Sequence, residues 1–121
     1  MATIRRFEDL ECWKSARILT RKVYLYSKDG RISEDWDTLR QFRRATLSIM
    51  NNIAEGFGRS SKKERVRFLE ISSSSSNEVK SMLYLIEDIA YLPANRIQEI
   101  RELNEKTYSL TIGLINYLKG R

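Results

Sequence analysis

The residues of this chain that could carry chemistry are few. The sequence has one cysteine, Cys12, and no histidine, which excludes imidazole-assisted nucleophilic catalysis and metal cages built from nitrogen and sulfur ligands. A lone thiol on an apolar helix stripe is typical of a small buried hydrophobe in a reducing compartment. The best remaining constellation is Asn52 and Glu55 with Arg59, and one carboxylate without an identifiable pocket is a weak catalytic signal. We therefore predict a protein that is not an enzyme and holds no metal or cofactor.

Positive charge is concentrated in one segment of the chain. The sequence has 22 Lys and Arg against 16 Asp and Glu, for a formal net charge of +6. Residues 40–67 contain eight basic and two acidic residues, so this segment accounts for the whole net charge. The eight basic residues, which we predict to bind nucleic acid, are Arg40, Arg43, Arg44, Arg59, Lys62, Lys63, Arg65 and Arg67.

The spacing of these basic residues indicates how they could bind phosphates. Arg40 and Arg44 share one helix face. Arg59 and Lys62 lie near a predicted helix start, where free N–H groups and the positive dipole end attract anions. We predict that these residues bind the phosphate groups of RNA or DNA, with RNA favoured. The sequence contains no recognised DNA- or RNA-binding motif. Two other interpretations stay open: the charges form solvated faces, or Arg43 and Arg44 pair with carboxylates across a subunit interface.

Four amphipathic segments position these residues. Apolar residues recur at intervals of three and four in each segment, and no segment shows the two-residue period of a strand. The predicted helices span about residues 9–28, 34–55, 62–91 and 96–119, within one domain formed by residues 1–121. Because the connections are short, each helix buries its stripe against its sequence neighbours. We predict an all-α, antiparallel up-down-up-down four-helix bundle.

Local signals predict where the helices begin and end. Ser33 is the expected N-cap of the second helix, and Gly56 is its expected C-cap glycine. Ser61 and Glu64 form a capping box that opens the third helix. Pro93 is expected to end that helix.

Five consecutive serines, residues 72–76, lie within the third predicted helix. Serine is a mediocre helix former, so tertiary packing must hold this turn in place. The run is either a solvated weak turn without a role or a site where small side chains let another helix approach closely.

The second and third helices each carry another apolar stripe behind the one that faces the core. At about 100° per residue, the members of each stripe fall within a narrow arc. Two consecutive helices with this feature predict contact between subunits, so we expect a homo-oligomer. The alternative is that single apolar residues are common on protein surfaces. The predicted interface residues are Trp36, Leu47, Ala54, Ile71, Met82, Leu85 and Ile89.

The sequence predicts no signal peptide and no membrane span. Its most apolar window, residues 108–118, is interrupted by Ser109, Thr111 and Asn116. We expect a cytoplasmic protein without a membrane partner.

Short motifs spread over nearly the full length match a known family. They are Phe7-x-Asp9-Leu10-x-x-Trp13, Gln41-x-Arg43-Arg44-Ala45-x-x-Ser48-Ile49, Asn52-Ile53-Ala54-Glu55-Gly56-x-x-Arg59, and Phe68-Leu69-x-Ile71 with Ser75 and Glu78. With these motifs the chain resembles the bacterial four-helix family of rRNA intervening-sequence proteins. It departs where that family often has a turn similar to Ala-Arg-Gly-Ser-Leu, since serines occupy residues 72–76.

The resemblance implies a ring-shaped homopentamer and no catalytic residues. It also implies kinship to accessory proteins of diversity-generating retroelements, which are basic pentamers that bind a reverse transcriptase and nucleic acid. Arg43, Arg44 and Arg59 carry over as matching basic positions, and Asn52 and Glu55 carry over as structural residues. The alternative function is a scaffold or accessory subunit that docks a protein partner such as a reverse transcriptase, with no direct role in binding nucleic acid.

Overall fold

A computed structural model describes residues 3–121 as four long helices joined by short connections. The helices are α1 (Glu11–Tyr26), α2 (Trp36–Phe57), α3 (Lys62–Asp88) and α4 (Ala94–Leu118). Short 3₁₀ turns, Phe7–Asp9 and Arg31–Glu34, precede α1 and α2. No strand occurs within residues 3–121. The prediction of an all-helical protein with four helices is confirmed.

Hydrogen bonds between helices show which positions lie side by side. Between α2 and α3, Gln41 Nε2 donates to Glu78 Oε2 over 3.0 Å, and the Ser48 and Ser75 hydroxyls lie 2.8 Å apart. Between α1 and α4, the Ser15 and Thr107 hydroxyls lie 2.6 Å apart. The four helices pack around one core, and α1 contacts α4 as well as α2.

The serine run supports close packing between α2 and α3. Ser72, Ser75 and Ser76 are buried, and the Ser72 hydroxyl donates to the Ile49 carbonyl over 2.9 Å. Ser74 lies exposed on the outer face of α3. The close-packing interpretation therefore holds for three of the five serines. Their small side chains occupy buried positions where larger apolar side chains would keep the helices further apart.

The core face of α4 agrees only in part with the predicted one. Spacing alone predicts a stripe through Ile100, Leu103, Thr107, Leu110, Leu114 and Tyr117. Ile100 and Thr107 are buried, whereas Leu103, Leu110 and Leu114 are only half-buried and Tyr117 is exposed. Burial of small polar side chains is the cause, because each finds a hydrogen-bond partner inside the bundle. Asn104 Nδ2, for example, donates to the Ser76 carbonyl over 3.0 Å. The buried face consists of Ile97, Ile100, Asn104, Thr107, Thr111 and Ile115.

The start of α2 corrects the predicted cap. Ser33 lies in a 3₁₀ turn, and α2 begins after Asp35, whose carboxylate accepts the Thr38 N–H over 3.1 Å. The same carboxylate accepts the Tyr91 hydroxyl over 2.8 Å, which ties the start of α2 to the α3–α4 connection. The Tyr91 hydrogen bond, followed by those from Thr38, lowers the pKa of Asp35 below its ordinary value.

The predicted ends of α2 and α3 are also wrong. Gly56 lies inside α2, which ends with Gly58 as its C-cap. The α3 helix ends at Asp88, before Ala90 adopts a left-handed φ of 54°, a common way for a helix to close. Pro93 instead caps the start of α4. The predicted start of α3 is confirmed, because Ser61 Oγ accepts the Glu64 N–H over 3.1 Å.

Gly56 is buried because α3 crosses directly over it. A Cβ atom at this position would lie 3.0 Å from Phe68 Cβ and 3.1 Å from the Arg65 carbonyl oxygen. Both distances are shorter than ordinary van der Waals contact, and helix backbone offers little room to move. The absence of a side chain at Gly56 thus sets the spacing of α2 and α3 next to their connection.

We predict that Gly56→Val lowers the free energy of unfolding by about 2 kcal/mol through overpacking against α3. The matched control is Gly113→Ala in α4, where an added Cβ meets nothing within 4 Å. This control should raise stability by about 0.5–1 kcal/mol through helix propensity. Urea unfolding followed by circular dichroism measures both, and a Gly56→Val protein as stable as the parent would contradict the close contact.

Candidate nucleic-acid interface

The connection between α2 and α3 brings several basic residues together. It spans only residues 58–61, so the last turn of α2 and the first turn of α3 lie side by side. Gly58 N–H donates to the Glu55 carbonyl over 3.1 Å, and Arg59 N–H donates to the Gly56 carbonyl over 3.2 Å. Lys62 and Lys63 follow as exposed residues in the first turn of α3, where the helix dipole favours anions.

Two arginines brace this connection. Arg59 Nη2 lies 3.0 Å from Glu55 Oε2, and its guanidinium stacks 4.7 Å from the centre of the Phe68 ring. Arg65 Nε donates to the Arg59 carbonyl over 2.7 Å, which holds the half-buried Arg65 side chain against the connection. Arg65 thus fixes the backbone that presents Arg59.

A broad cleft of about 660 Å³ opens along the first turns of α3. Lys62, Lys63 and Arg67 line it, and Lys119 reaches it from the end of α4, with Nζ 3.4 Å from Glu70 Oε2. Sequence reasoning missed Lys119, although the packing of α4 beside α3 could have suggested it. We call this surface the basic end and define it by Arg59, Lys62, Lys63, Arg65, Arg67 and Lys119.

The other three predicted residues do not join the basic end. Arg44 lies fifteen residues before Arg59, which is roughly 22 Å along a helix axis. Arg40 and Arg44 are exposed on the first half of α2. Arg43 is half-buried, and its guanidinium stacks 4.8 Å from the centre of the Tyr24 ring in α1. The segment predicted as one patch therefore forms two separate groups in space.

Most of these cations have no acidic partner within the described part of the chain. Only Arg59 and Lys119 lie within 4.0 Å of a carboxylate oxygen. The other seven have no such neighbour in residues 3–121, and five of the seven are exposed: Arg40, Arg44, Lys62, Lys63 and Arg67. Exposed cations without a carboxylate neighbour keep their full charge for an external anion.

Asn52 and Glu55 make contacts within α2. Asn52 Nδ2 donates to the Ser48 carbonyl over 2.8 Å and to the Ser48 hydroxyl over 3.1 Å. Glu55 pairs with Arg59 one turn later. These contacts are of the structural kind that the family resemblance implies for both residues.

The predicted interface residues form two separate stripes, one on α2 and one on α3. Leu47 lies one turn from Arg43, which stacks on α1, so the stripe formed by Trp36, Leu47 and Ala54 follows the α1 side. Ile71 lies one turn before Ser75, which contacts Ser48 of α2, so the α3 stripe follows the α2 side. The most exposed members are Trp36 at 61% and Leu85 at 50%, whereas Leu47, Ala54 and Met82 are half-buried. The α3 stripe consists of Ile71, Met82, Leu85 and Ile89.

The Cys12 thiol is buried between helices. Its residue is 3% exposed, and burial raises the pKa of the thiol to about 11. A thiol with that pKa is almost wholly protonated at neutral pH, and the protonated form is a poor nucleophile.

Comparison with known proteins gives a family match and a fold match. Residues 8–113 match the family model described as 23S rRNA-intervening sequence protein. A crystal structure of a protein of unknown function from the S23 ribosomal protein family of Bacteroides thetaiotaomicron is 19% identical and superposes with a TM-score of 0.78. The match covers 86% of this chain and 97% of that protein, and it shows a shared fold. No curated protein matches the chain.

The predicted kinship to retroelement accessory proteins stays a prediction.

Within residues 3–121, no helix combines the length and the apolar character that crossing a bilayer requires.

We predict that iodoacetamide leaves Cys12 unmodified in the folded protein at pH 8 and alkylates it completely in urea. The reason is that folding both shields the sulfur and raises its pKa, and unfolding removes both effects. Intact mass spectrometry over time measures the modification. Rapid alkylation without denaturant would show that the thiol is accessible and that its assignment to the core is wrong.

Proposed function

Because the chain belongs to the 23S rRNA-intervening sequence protein family, we propose that it is a non-enzymatic protein that binds RNA or DNA through phosphate groups at its basic end. The observation that carries this proposal is the convergence of Lys62, Lys63 and Arg67 with Lys119 around one cleft.

The chemistry of the basic end suits phosphate groups. Lysine ammonium groups act as mobile point charges, and arginine adds two-point hydrogen bonding to phosphate oxygens. Each neutralised phosphate releases condensed counterions, which drives binding without reading the base sequence. Because phosphate contacts do not read the bases, we expect weak selectivity for sequence. Glu64 and Glu70 border the same cleft, and their carboxylates repel phosphates that approach them.

We infer that antiparallel up-down-up-down protomers assemble into a ring, with five subunits as the family resemblance implies. Two different apolar stripes, one on α2 and one on α3, support a head-to-tail contact, in which the α3 stripe of one subunit meets the Trp36 stripe of the next. Heterologous contacts of this kind close into a ring when the rotation between neighbouring subunits divides a full turn. The buried Arg43 Nε, which has no hydrogen-bond partner within residues 3–121, supports a role for Arg43 in this contact. A ring would repeat the basic end around one axis.

The second candidate function is a scaffold that docks a protein partner, such as a reverse transcriptase. The exposure of Trp36 and Leu85 favours it, since exposed aromatic and aliphatic side chains anchor many protein interfaces. In that case the arginines would serve contacts between proteins, and nucleic acid would bind weakly or not at all.

We predict that the combined change of Arg59, Lys62 and Lys63 to Glu weakens binding to a structured RNA at least roughly tenfold, because it reverses the charge that meets the phosphates. Fluorescence anisotropy at constant salt measures the affinity, and circular dichroism confirms that the helices remain.

The matched control changes Arg21, Lys28 and Lys106 to Glu. These residues are also exposed and lie outside the basic end, and the net charge changes by the same amount. The control should keep most of the affinity. Equal losses in both triple variants would show that overall charge, and not the basic end, governs binding.

We predict that Leu85→Arg dissociates the assembly, since a buried charge without a partner disrupts an apolar interface. Light scattering should give about five times the 14.3 kDa chain mass for the parent protein and a smaller mass for the variant. Leu25→Arg is the control, because Leu25 is equally exposed at 51% and lies outside both stripes. A monomeric parent at high micromolar concentration would contradict the ring.

A further inference from the structure

An apolar cavity of about 440 Å³ lies beside the basic end, between the ends of α2, α3 and α4, and Thr3, Ile4 and Leu10 of the segment before α1 complete its wall. Phe57 and Gly56 line it from α2, Leu69 from α3, and Leu114 and Tyr117 from α4. Cavities of this volume and apolar character are typical of small-molecule binding sites. The phosphate chemistry described above makes no use of this cavity.

The mouth of the cavity carries two flat groups. Tyr117 lines the cavity although 58% of the residue is exposed to solvent. Arg65 also lines it, while its Nε is held by the Arg59 carbonyl at 2.7 Å. Unstacked bases of single-stranded nucleic acids stack on aromatic rings and on guanidinium planes.

Arg65 connects the cavity to the phosphate surface. Lys62 precedes Arg65 by one helical turn, so the two side chains are neighbours on α3. A strand whose phosphates contact Lys62 can therefore reach the mouth of the cavity. We propose, on the basis of the function proposed above, that the basic end binds single-stranded nucleic acid and that the cavity seats one of its unstacked bases against Tyr117 and Arg65.

The lining of the cavity indicates how selective such a site is. Apart from Arg65, the residues of its helical walls offer mainly carbon surface, so the base is held by stacking and burial with little hydrogen-bond readout. The site then accepts several bases, and it rejects a paired base, which cannot leave its duplex without losing stacking and pairing.

The experiment compares three fluorescent nucleic acids of equal length at one salt concentration: a single-stranded oligouridylate, the same backbone with abasic positions, and a duplex. The abasic strand keeps every phosphate and lacks the bases. We expect the parent protein to bind the oligouridylate roughly tenfold more tightly than the abasic strand. The duplex should bind more weakly than the oligouridylate.

Two variants locate the effect. Tyr117→Ala should remove most of the difference between oligouridylate and abasic strand, and Leu114→Trp should do so by filling the cavity. The matched control, Tyr84→Ala, removes a tyrosine of similar exposure, 55%, that lies beside Arg101 outside the cavity. This control should keep the difference, and circular dichroism checks the fold of all three variants.

Equal affinity of the parent protein for the oligouridylate and the abasic strand would overturn the base site and leave phosphate binding intact. A difference that survives both Tyr117→Ala and Leu114→Trp would also overturn it, since the bases would then bind elsewhere. Tight binding of dodecanoate that the oligouridylate does not displace would assign the cavity to an anionic amphiphile instead. Failure of all three nucleic acids to bind at low salt would contradict the proposed function itself.

Discussion

The close approach of α2 and α3 determines the geometry of this protein. Gly56 leaves no room for a side chain beneath Phe68, and the Ser48 and Ser75 hydroxyls meet at 2.8 Å further along the same contact. With the helices this close, a connection of four residues is long enough to join them. The short connection in turn places the cations that follow α2 beside those that begin α3. The basic end is thus a consequence of helix packing.

The same packing separates charge from apolar surface. Cations gather where the end of α4 meets the start of α3, and their repulsion is tolerated because the side chains are exposed to water. The exposed apolar residues Trp36 and Leu85 lie elsewhere, along the flanks of α2 and α3. A subunit contact through those flanks would approach Arg59 and Arg67, which lie beside Ala54 and Ile71, and would leave Lys62, Lys63 and Lys119 open to a polyanion. The cavity at that end adds an apolar surface of a different kind, concave and small.

Much of this arrangement could be predicted from the sequence, because helix periodicity depends on local pattern. The core face of α2, from Leu39 to Ile53, is buried as its spacing indicates. The face of α4 was predicted only in part, because Asn104 is buried through a hydrogen bond to α3, which no single-helix pattern contains. The basic segment was interpreted as one patch. However, α2 is 22 residues long, so Arg40 and Arg44 in its first half lie far from Arg59, which follows its last turn. Lys119 and the cavity depend on which helix ends meet, and only the assembled fold shows that.

The salt dependence of RNA affinity tests the central claim most directly. Anisotropy titrations of a labelled structured RNA across a series of salt concentrations give the slope of the logarithm of affinity against the logarithm of salt. If Lys62, Lys63, Arg67 and Lys119 each neutralise a phosphate, the slope for one subunit is roughly −3 to −4, and a ring that engages several subunits gives a steeper one. Binding that is insensitive to salt, or no binding at low salt, would contradict a phosphate-binding basic end and support the scaffold that docks a protein partner.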